Sequence, residues 1–233
     1  MKKVCLLVFF IIVLILISFI NINYFNKYQV LTNEEEIIKE EIIDNNTTII
    51  NNEENRELNY INNQVGYINI KDTNIDARIM QYTDNDYYLT HDEYGNYSIF
   101  GSIYMDYRNK VDDKKILLFG HNTKNTKTSP FKDLEKYGNE SFYSNHSVID
   151  LELNGISHYY KIFSIIVITN QSNKHMKLNF KNDEWSDHLK WLKEDSLYNT
   201  NIEVDPNDKI ITLQTCYYNP DETFIIISAK EIK

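Results

Sequence analysis

The sequence predicts a mainly β fold, in which eight strands form a closed or nearly closed barrel with one helix inserted before the penultimate strand. Short runs rich in β-branched and aromatic residues recur along residues 65–230, which is typical of strands. Turn residues separate these runs, and one late segment, 183–197, has helical periodicity instead. A helical region is also expected ahead of the barrel.

The strands are separated by short turns. Asn154-Gly155 is the strongest hairpin signal in the chain, because both residues tolerate the positive φ angles of a type I′ turn. Lys71-Asp72 marks another turn between two β-type runs. The predicted strands are 65–70, 77–82, 98–107, 115–120, 148–153, 158–169, 209–215 and 224–230.

The inserted helix is predicted over residues 183–197, with Asn182 or Asp183 as its N-cap. Its apolar stripe consists of Trp185, Leu189, Leu192 and Ser196. A shorter helix is expected over residues 129–137.

The N-terminal residues predict a membrane anchor. Residues 4–20 are apolar without interruption, follow Lys2 and Lys3, and are extended by further apolar residues to position 25. A spanning helix needs roughly 20 apolar residues. A cleaved signal peptide has a similar pattern, but no small-x-small cleavage site follows here. Residues 1–25 are therefore expected to be a single-pass anchor with residues 4–25 in the membrane. The positive-inside rule orients its N-terminus to the cytoplasm and the remaining chain outside.

Residues 26–63 predict an acidic, Asn-rich tether between the anchor and the barrel. Isoleucines at positions 37, 38, 42 and 43 follow a helix-like spacing and indicate the helical region ahead of the barrel. The second half of the tether has the composition of a linker. The barrel domain is then expected over residues 64–233.

Composition excludes one function class and draws attention to one cysteine. The formal charge of −10 and the pI near 5.1 argue against nucleic-acid binding, which needs a basic surface. Of the two cysteines, Cys5 lies in the predicted anchor and Cys216 in the barrel, so the membrane keeps them apart. A thiol in an oxidising compartment is at risk, which suggests a chemical role for Cys216. Packing as a small apolar side chain is the alternative.

Cys216 and His121 both stand at the end of a predicted strand. Strand alternation places Cys216 with Gln214 on one face and Leu213 with Thr215 on the more apolar one, so the thiol is expected to be accessible. A thiol becomes a good nucleophile only as the thiolate, and His121 is the candidate base. Three other histidines lie in polar stretches and are expected at the surface: His91, His146 and His188.

The motif TLQTC, with Gly120-His121-Asn122 about 95 residues upstream of its cysteine, resembles the sortases. These are membrane-anchored cysteine transpeptidases of Gram-positive bacteria. The segment YMDYRN at 104–109, the insert that contains the 183–197 helix and the N-terminal anchor resemble class B in particular. The resemblance covers roughly residues 60–233 and the placement of the anchor. It implies a sortase-type eight-stranded barrel.

The resemblance also implies a mechanism. Cys216 would attack the carbonyl after Thr in an Asn-Pro-x-Thr-type sorting signal near the C-terminus of a surface protein, forming a thioester and releasing the tail. An amine of a peptidoglycan precursor or a pilin would then resolve the thioester. His121 would act first as general acid and then as general base. The resemblance implies no metal and no other cofactor.

The family's catalytic arginine is missing at its expected position. Alignment of the last strand puts Phe224 in the slot of this residue, which stabilises charge on the substrate carbonyl. Arg108 matches an additional, structural arginine of the family. Backbone N–H groups near Cys216 or the hydroxyl of Thr215 are candidates to replace the lost donor in part. Removal of one oxyanion donor typically costs ~10²–10³ in rate.

The resemblance further implies a substrate groove. The matching positions are Asn85, Leu89, Met176, Gln214, Thr215 and Tyr217. His175 replaces a family aromatic beside Met176, and Gln214 stands where class B has serine. Core packing is the alternative role for Leu89 and Met176.

Two other functions remain open. A sortase-like barrel without its arginine would bind sorting signals or a partner without efficient turnover. A different cysteine peptidase would hydrolyse rather than transfer. The order of the two residues, with His121 before Cys216 and both at strand ends, disfavours the papain-like arrangement.

Overall fold

The computed structural model describes residues 61–124, 126–169, 172–181, 183–218 and 223–232. The predicted anchor and all but the last three residues of the predicted tether lie outside this part of the chain. Within it, no helix is long and apolar enough to cross a membrane.

Eight strands form a closed barrel, which confirms the predicted fold class. Around the barrel the order is β1-β2-β3-β4-β7-β8-β6-β5. The pairs β2–β3 and β4–β7 are parallel and the others are antiparallel. The strands are β1 (Gln64–Asn69), β2 (Asp76–Met80), β3 (Ile103–Met105), β4 (Lys115–Phe119), β5 (Val148–Leu153), β6 (Ile156–Ile168), β7 (Ile210–Tyr217) and β8 (Thr223–Ile232).

In two strands, the difference between the predicted and the observed ends has a clear local reason. The run predicted at 98–107 contributes only β3, because Gly101 turns the chain at φ 57° and lies so close to the Tyr88 carbonyl that no larger residue fits. The strand predicted to start at 158 begins earlier, at Ile156, directly after the Asn154-Gly155 turn. Both turn residues have positive φ, as the hairpin prediction requires.

In the described part of the chain, two short α-helices accompany the barrel, α1 (Glu140–Asn145) and α2 (Glu184–Glu194). Helix α2 lies between β6 and β7, before the penultimate strand, as predicted. The segment predicted as a helix over 129–137 is instead a 3₁₀ helix, Lys132–Gly138, followed by α1. Two more 3₁₀ turns, Tyr87–Leu89 and Lys174–Met176, lie in loops.

The apolar stripe of α2 packs on the outside of the barrel. Trp185, Leu189 and Leu192 are buried against Phe163 and Ile226, as the periodicity predicts. Ser196 lies beyond the helix and accepts a hydrogen bond from the amide of Ile165. His188, predicted at the surface, is buried on this helix with 4% exposure, and its imidazole contacts the Lys115 ammonium group at 2.9 Å. The prediction that His188 lies at the surface was wrong, because Lys115 from strand β4 provides a hydrogen-bond partner for the buried ring.

Strands β4 and β7 are covered on both faces. Leu118 and Leu213 point into the barrel core, while Leu117 belongs to a cluster on the outside of the barrel. Leu89 and Met176, from the two loops with 3₁₀ turns, cover that outer cluster. Burial on both faces explains why KILLF and IITL are continuous apolar runs rather than alternating ones.

Candidate active site

The parallel pair β4–β7 brings the two predicted catalytic residues together. Its register runs from Lys115 opposite Ile210 to Phe119 opposite Gln214. Because parallel strands point the same way, the segments that follow them leave the barrel side by side. His121 follows Phe119 by two residues and Cys216 follows Gln214 by two. The pair therefore meets at one rim of the barrel although most of the domain separates them in sequence.

Cys216 lies on the accessible face of β7. The Cys216 and Gln214 side chains are half-buried, whereas those of Leu213, Thr215 and Tyr217 are buried on the opposite face. This is the alternation that the sequence predicts. The thiol thus borders the solvent at the rim.

The His121 ring is oriented by a backbone carbonyl. Its Nε2 atom lies 2.9 Å from the carbonyl oxygen of Leu89. A carbonyl oxygen can only accept, so Nε2 carries the hydrogen and Nδ1 of the neutral ring remains the acceptor. The 3₁₀ turn Tyr87–Leu89 therefore sets the tautomer of the candidate base.

Phe224 lies directly opposite Cys216 in the β7–β8 register. Its ring is half-buried and packs with the cluster that α2 covers. The two arginines of the described residues are engaged elsewhere: Arg78 pairs with Glu93, and Arg108 makes a bidentate contact with Asp106. An aromatic side chain thus lies across from Cys216 on the neighbouring strand.

Lys124 and Tyr218, from the segments that follow His121 and Cys216, contact each other. The Lys124 Nζ atom is 5.9 Å from the centre of the Tyr218 ring, within the range of a cation–π contact. Lys124 follows His121 by three residues and Tyr218 follows Cys216 by two. No set of at least three His, Cys, Asp or Glu side chains within the described ranges is arranged to hold a metal ion.

Asn85 is half-buried and hydrogen-bonds to its neighbours Asp106 and Tyr107. Its amide nitrogen donates to Asp106 at 3.1 Å, and its amide oxygen accepts from the Tyr107 amide at 2.9 Å. Asp106 is fully buried. Burial opposes its charged form, but the hydrogen bonds from Arg108 and Asn85 outweigh it, so the pKa of Asp106 is lowered.

The loop before α2 is held by two cations. Lys115 Nζ donates to the carbonyls of His175 and Lys177, at 2.6 and 2.9 Å, and Arg108 donates to that of Met176 at 3.2 Å. Three successive carbonyls are thereby bound. The loop carries Met176, which is half-buried beside Leu89 on the outer cluster. We refer to residues 172–178 as the clamped loop.

The clamped loop also reaches β7. The His175 Nε2 atom lies 2.6 Å from Oε1 of Gln214, the residue two before Cys216. Burial lowers the pKa of His175 to about 4 and that of His188 to about 3. Burial likewise lowers the pKa of Lys115 to about 7. This group of buried bases lies along the outer face of β4 and β7.

Two predicted groove residues have side chains on the other face of β7. Thr215 is 2% exposed, and its hydroxyl donates to the Gly120 carbonyl at 2.7 Å. The hydroxyl hydrogen is therefore not available to a substrate carbonyl. Tyr217 is 9% exposed and packs against Gly138, where a Cβ atom would collide with its hydroxyl. Any contact of these two residues with a substrate would therefore involve their backbone.

One residue at the rim was missed by the sequence reasoning. The Asn122 amide nitrogen donates to the backbone carbonyl of Cys216 at 2.9 Å. Asn122 directly follows His121 in the GHN turn, and this position next to a candidate catalytic residue was the one sequence signal that could have identified it.

Residues 68–232 match the family model of the sortase domain. The chain therefore belongs to the sortase family, which consists of cysteine transpeptidases.

Its similarity is to class B. Sortase B of Listeria monocytogenes is 36% identical over 168 residues, which cover 70% of this chain and 67% of that protein. The X-ray structure of Clostridium perfringens sortase B has a TM-score of 0.69 at 32% identity, covering 73% of this chain and 94% of that one. A Staphylococcus aureus sortase B–substrate complex has a TM-score of 0.67 at 30% identity, covering 73% and 80%. The predicted resemblance to class B is thus confirmed.

The family defines the general activity and its setting. Sortases act on sorting-signal substrates and amine acceptors, and they are associated with the cell surface of Gram-positive bacteria.

Proposed function

We propose that this chain cleaves an Asn-Pro-x-Thr-type sorting signal and transfers the surface protein that carries it to a cell-wall amine. The single observation that carries the proposal is the β4–β7 register, which brings the segments that bear His121 and Cys216 to one rim. A staphylococcal relative with a similar fold is known as a substrate complex, which supports a substrate-binding role for this barrel.

The reaction proceeds by two acyl transfers. His121 takes the proton of the Cys216 thiol, the thiolate attacks the carbonyl carbon after Thr, and the C–N bond breaks as His121 passes that proton to the leaving amine. The acceptor amine, from a peptidoglycan precursor or a pilin, then attacks the thioester as His121 removes its proton, and the thiolate leaves. The Leu89 carbonyl holds the ring throughout.

The peptide lies in a groove between the 3₁₀ turn at Leu89 and the clamped loop at Met176. Leu89 and Met176 form its apolar walls, since both are half-buried on the outer cluster beside β4. Asn85 and Gln214 support the walls through Asp106 and His175. Thr215 and Tyr217 contribute backbone groups next to the nucleophile.

Residues 1–25 anchor the protein in the membrane, with the N-terminus in the cytoplasm and the barrel outside on the tether of residues 26–63. The uninterrupted apolar run behind Lys2 and Lys3 supports this arrangement.

A second function is favoured by one observation. Phe224 lies opposite Cys216 where the family pattern expects an arginine, so the barrel would bind sorting signals with weak turnover or none. Loss of one oxyanion donor costs ~10²–10³ in rate and leaves the nucleophile in place.

Intact mass spectrometry separates the two functions. The full-length chain is incubated with Asn-Pro-x-Thr-type peptides, and a thioester adduct is sought in the wild type, Cys216→Ala and Phe224→Arg. An adduct in the wild type that Cys216→Ala abolishes supports the transpeptidase. An adduct only in Phe224→Arg supports the binding module, and no adduct in either contradicts an acyl-transfer site at Cys216. Phe224→Leu controls for loss of the ring.

A further inference from the structure

The backbone ladder between β4 and β7 ends just before the two catalytic segments. Its last pair is Phe119 opposite Gln214. The next bond, from the Gly120 amide to the Gln214 carbonyl, is long at 3.4 Å. The relative position of His121 and Cys216 therefore depends on contacts other than the ladder.

Two side chains continue the connection past the end of the ladder. Thr215 donates from β7 to the Gly120 carbonyl at 2.7 Å, and Asn122 donates in the opposite direction to the Cys216 carbonyl at 2.9 Å. Both hydrogen bonds connect the segment after β4 to the end of β7, and they involve the residues directly before and directly after His121.

Asn122 is itself held rigidly. It is 1% exposed, and its second amide hydrogen is donated to Glu135 at 3.0 Å. Lys132 binds the same carboxylate oxygen of Glu135 at 3.0 Å. Because both hydrogens of the amide nitrogen have acceptors, the orientation of the amide is defined. Its oxygen accepts no hydrogen bond from the described residues, so Asn122 acts as a donor.

We propose that Asn122 is a positioning residue that sets the distance between the Cys216 thiol and the His121 ring; this rests on the proposed roles of those two residues. Asn122 directly follows His121 in the chain and is hydrogen-bonded to the backbone of Cys216. It therefore links the segment that carries His121 directly to the segment that carries Cys216. The Phe131 amide holds the His121 carbonyl from the other side at 2.9 Å. Displacement of reacting groups by about 1 Å can cost ~10²-fold in rate.

The test compares three variants of the full-length chain in a Cys5→Ser background, which leaves Cys216 as the single thiol. Asn122→Ala removes the bond, and Asn122→Asp keeps the shape without the amide hydrogens. Asn109→Ala is the matched control, because Asn109 is 4% exposed and makes three amide hydrogen bonds at the other end of β4. Thermal stability, kcat and KM for thioester formation, and the pH profile of Cys216 alkylation by iodoacetamide are measured for each.

We expect both Asn122 variants to lower kcat by roughly 10–100-fold with little change in KM. The midpoint of alkylation is expected to move to higher pH, as a thiol separated from its base requires. Asn109→Ala is expected to lose stability but to keep the parent's kcat and midpoint. Unchanged kcat and midpoint in Asn122→Ala, or equal losses in Asn109→Ala, overturn the proposal.

Alkylation separates this proposal from the function proposed above. If the parent chain forms no thioester, the acyl-transfer function fails, but the alkylation midpoints still decide the role of Asn122. A shift confined to the Asn122 variants supports positioning, and the same midpoint in all chains excludes it.

Discussion

His121 has two ring nitrogens with different tasks. The Leu89 carbonyl takes the hydrogen of Nε2, which leaves Nδ1 as the proton acceptor of the neutral ring. A 3₁₀ turn of three residues thus determines which nitrogen is available for proton transfer.

Replacement of His121 by Ala is expected to slow thioester formation by ~10²–10⁴-fold, the usual contribution of general acid–base catalysis. The rate is measured by trapping the thioester with hydroxylamine. His146→Ala is the control, because His146 is half-buried and stacked on Phe142 at the end of α1. Equal rates in His121→Ala and the wild type would remove His121 from the mechanism.

The sequence was sufficient to place residues whose position in the fold follows from the residues next to them in the chain. Cys216 and His121 each end an apolar run, and that is visible without knowing the partner strand. The role proposed for Asn122 depends on a hydrogen bond to a residue far along the chain, which no local sequence pattern indicates. Tyr217 likewise turned inward because β7 extends past Cys216 and because Gly138 leaves room for the ring.

At the level of elements, the clamped loop depends on Lys115. Three acceptors surround its ammonium group, namely the His175 and Lys177 carbonyls and the His188 ring. All of these would lose their donor together if the amine were removed.

Lys115→Met keeps the length of the side chain but not its hydrogen bonds. We expect a loss of about 3 kcal/mol in the free energy of unfolding, since each unsatisfied buried group costs ~1–3 kcal/mol. A higher KM for the peptide is also expected, because Met176 moves with the loop. Urea unfolding and peptide kinetics measure the two effects.

Lys114→Met is the matched control for this substitution. Lys114 is the preceding residue, is exposed, and donates to the Pro206 carbonyl. A stability loss in Lys114→Met as large as that in Lys115→Met would show that the clamp contributes nothing specific.

Acid is expected to weaken the packing of α2 on the barrel. The pKa values of His175 and His188 in the fold, about 4 and about 3, lie below the ordinary value of 6.5. Their contribution to stability is therefore complete above pH 6.5 and is lost as the pH falls towards 4 and 3. The loss is roughly 3 kcal/mol for each histidine between pH 7 and pH 4.

Urea midpoints at pH 7 and pH 4.5 test this acid dependence. His188→Gln keeps an acceptor for Lys115 but cannot take up a proton, so the midpoint of this variant should fall less with acid than that of the wild type. His91→Gln should behave as the wild type. A parallel decline in all three chains would contradict the assignment.

At the scale of the molecule, closure of the barrel removes free sheet edges. Strands β1 and β5 pair with each other and each has a second partner, so each is hydrogen-bonded on both sides. In an open sheet with the same chain order, one of these pairs would be missing.

Hydrogen exchange should therefore protect β1 and β5 about as strongly as β7. Amides that open only by global unfolding exchange with the full free energy of unfolding. Exchange is followed by mass spectrometry of peptides from the native full-length chain. Exchange in β1 and β5 more than about 100-fold faster than in β7 would indicate an open seam between them.

The barrel itself was predictable from the sequence because strand runs and turn residues are local signals. The Asn154-Gly155 turn defined one hairpin completely. The burial of His188 was not predictable, because its polar neighbours on the helix give no sign of the lysine that reaches it from β4. The short β3 was not predictable either, since its limit depends on contact between Gly101 and Tyr88.

The parallel pairing of β4 with β7 also has a consequence for biogenesis. The thiol belongs to the seventh strand of eight, and its imidazole partner to the segment after the fourth. A ladder that joins segments so distant in sequence forms late, because the loop between them must first be ordered. Under the proposed mechanism, a nascent chain emerging from the N-terminus onwards has its base, His121, long before its nucleophile, Cys216, and it would stay inactive until the barrel is nearly complete. Under that mechanism, acyl transfer by a single molecule would therefore report that its folding is complete.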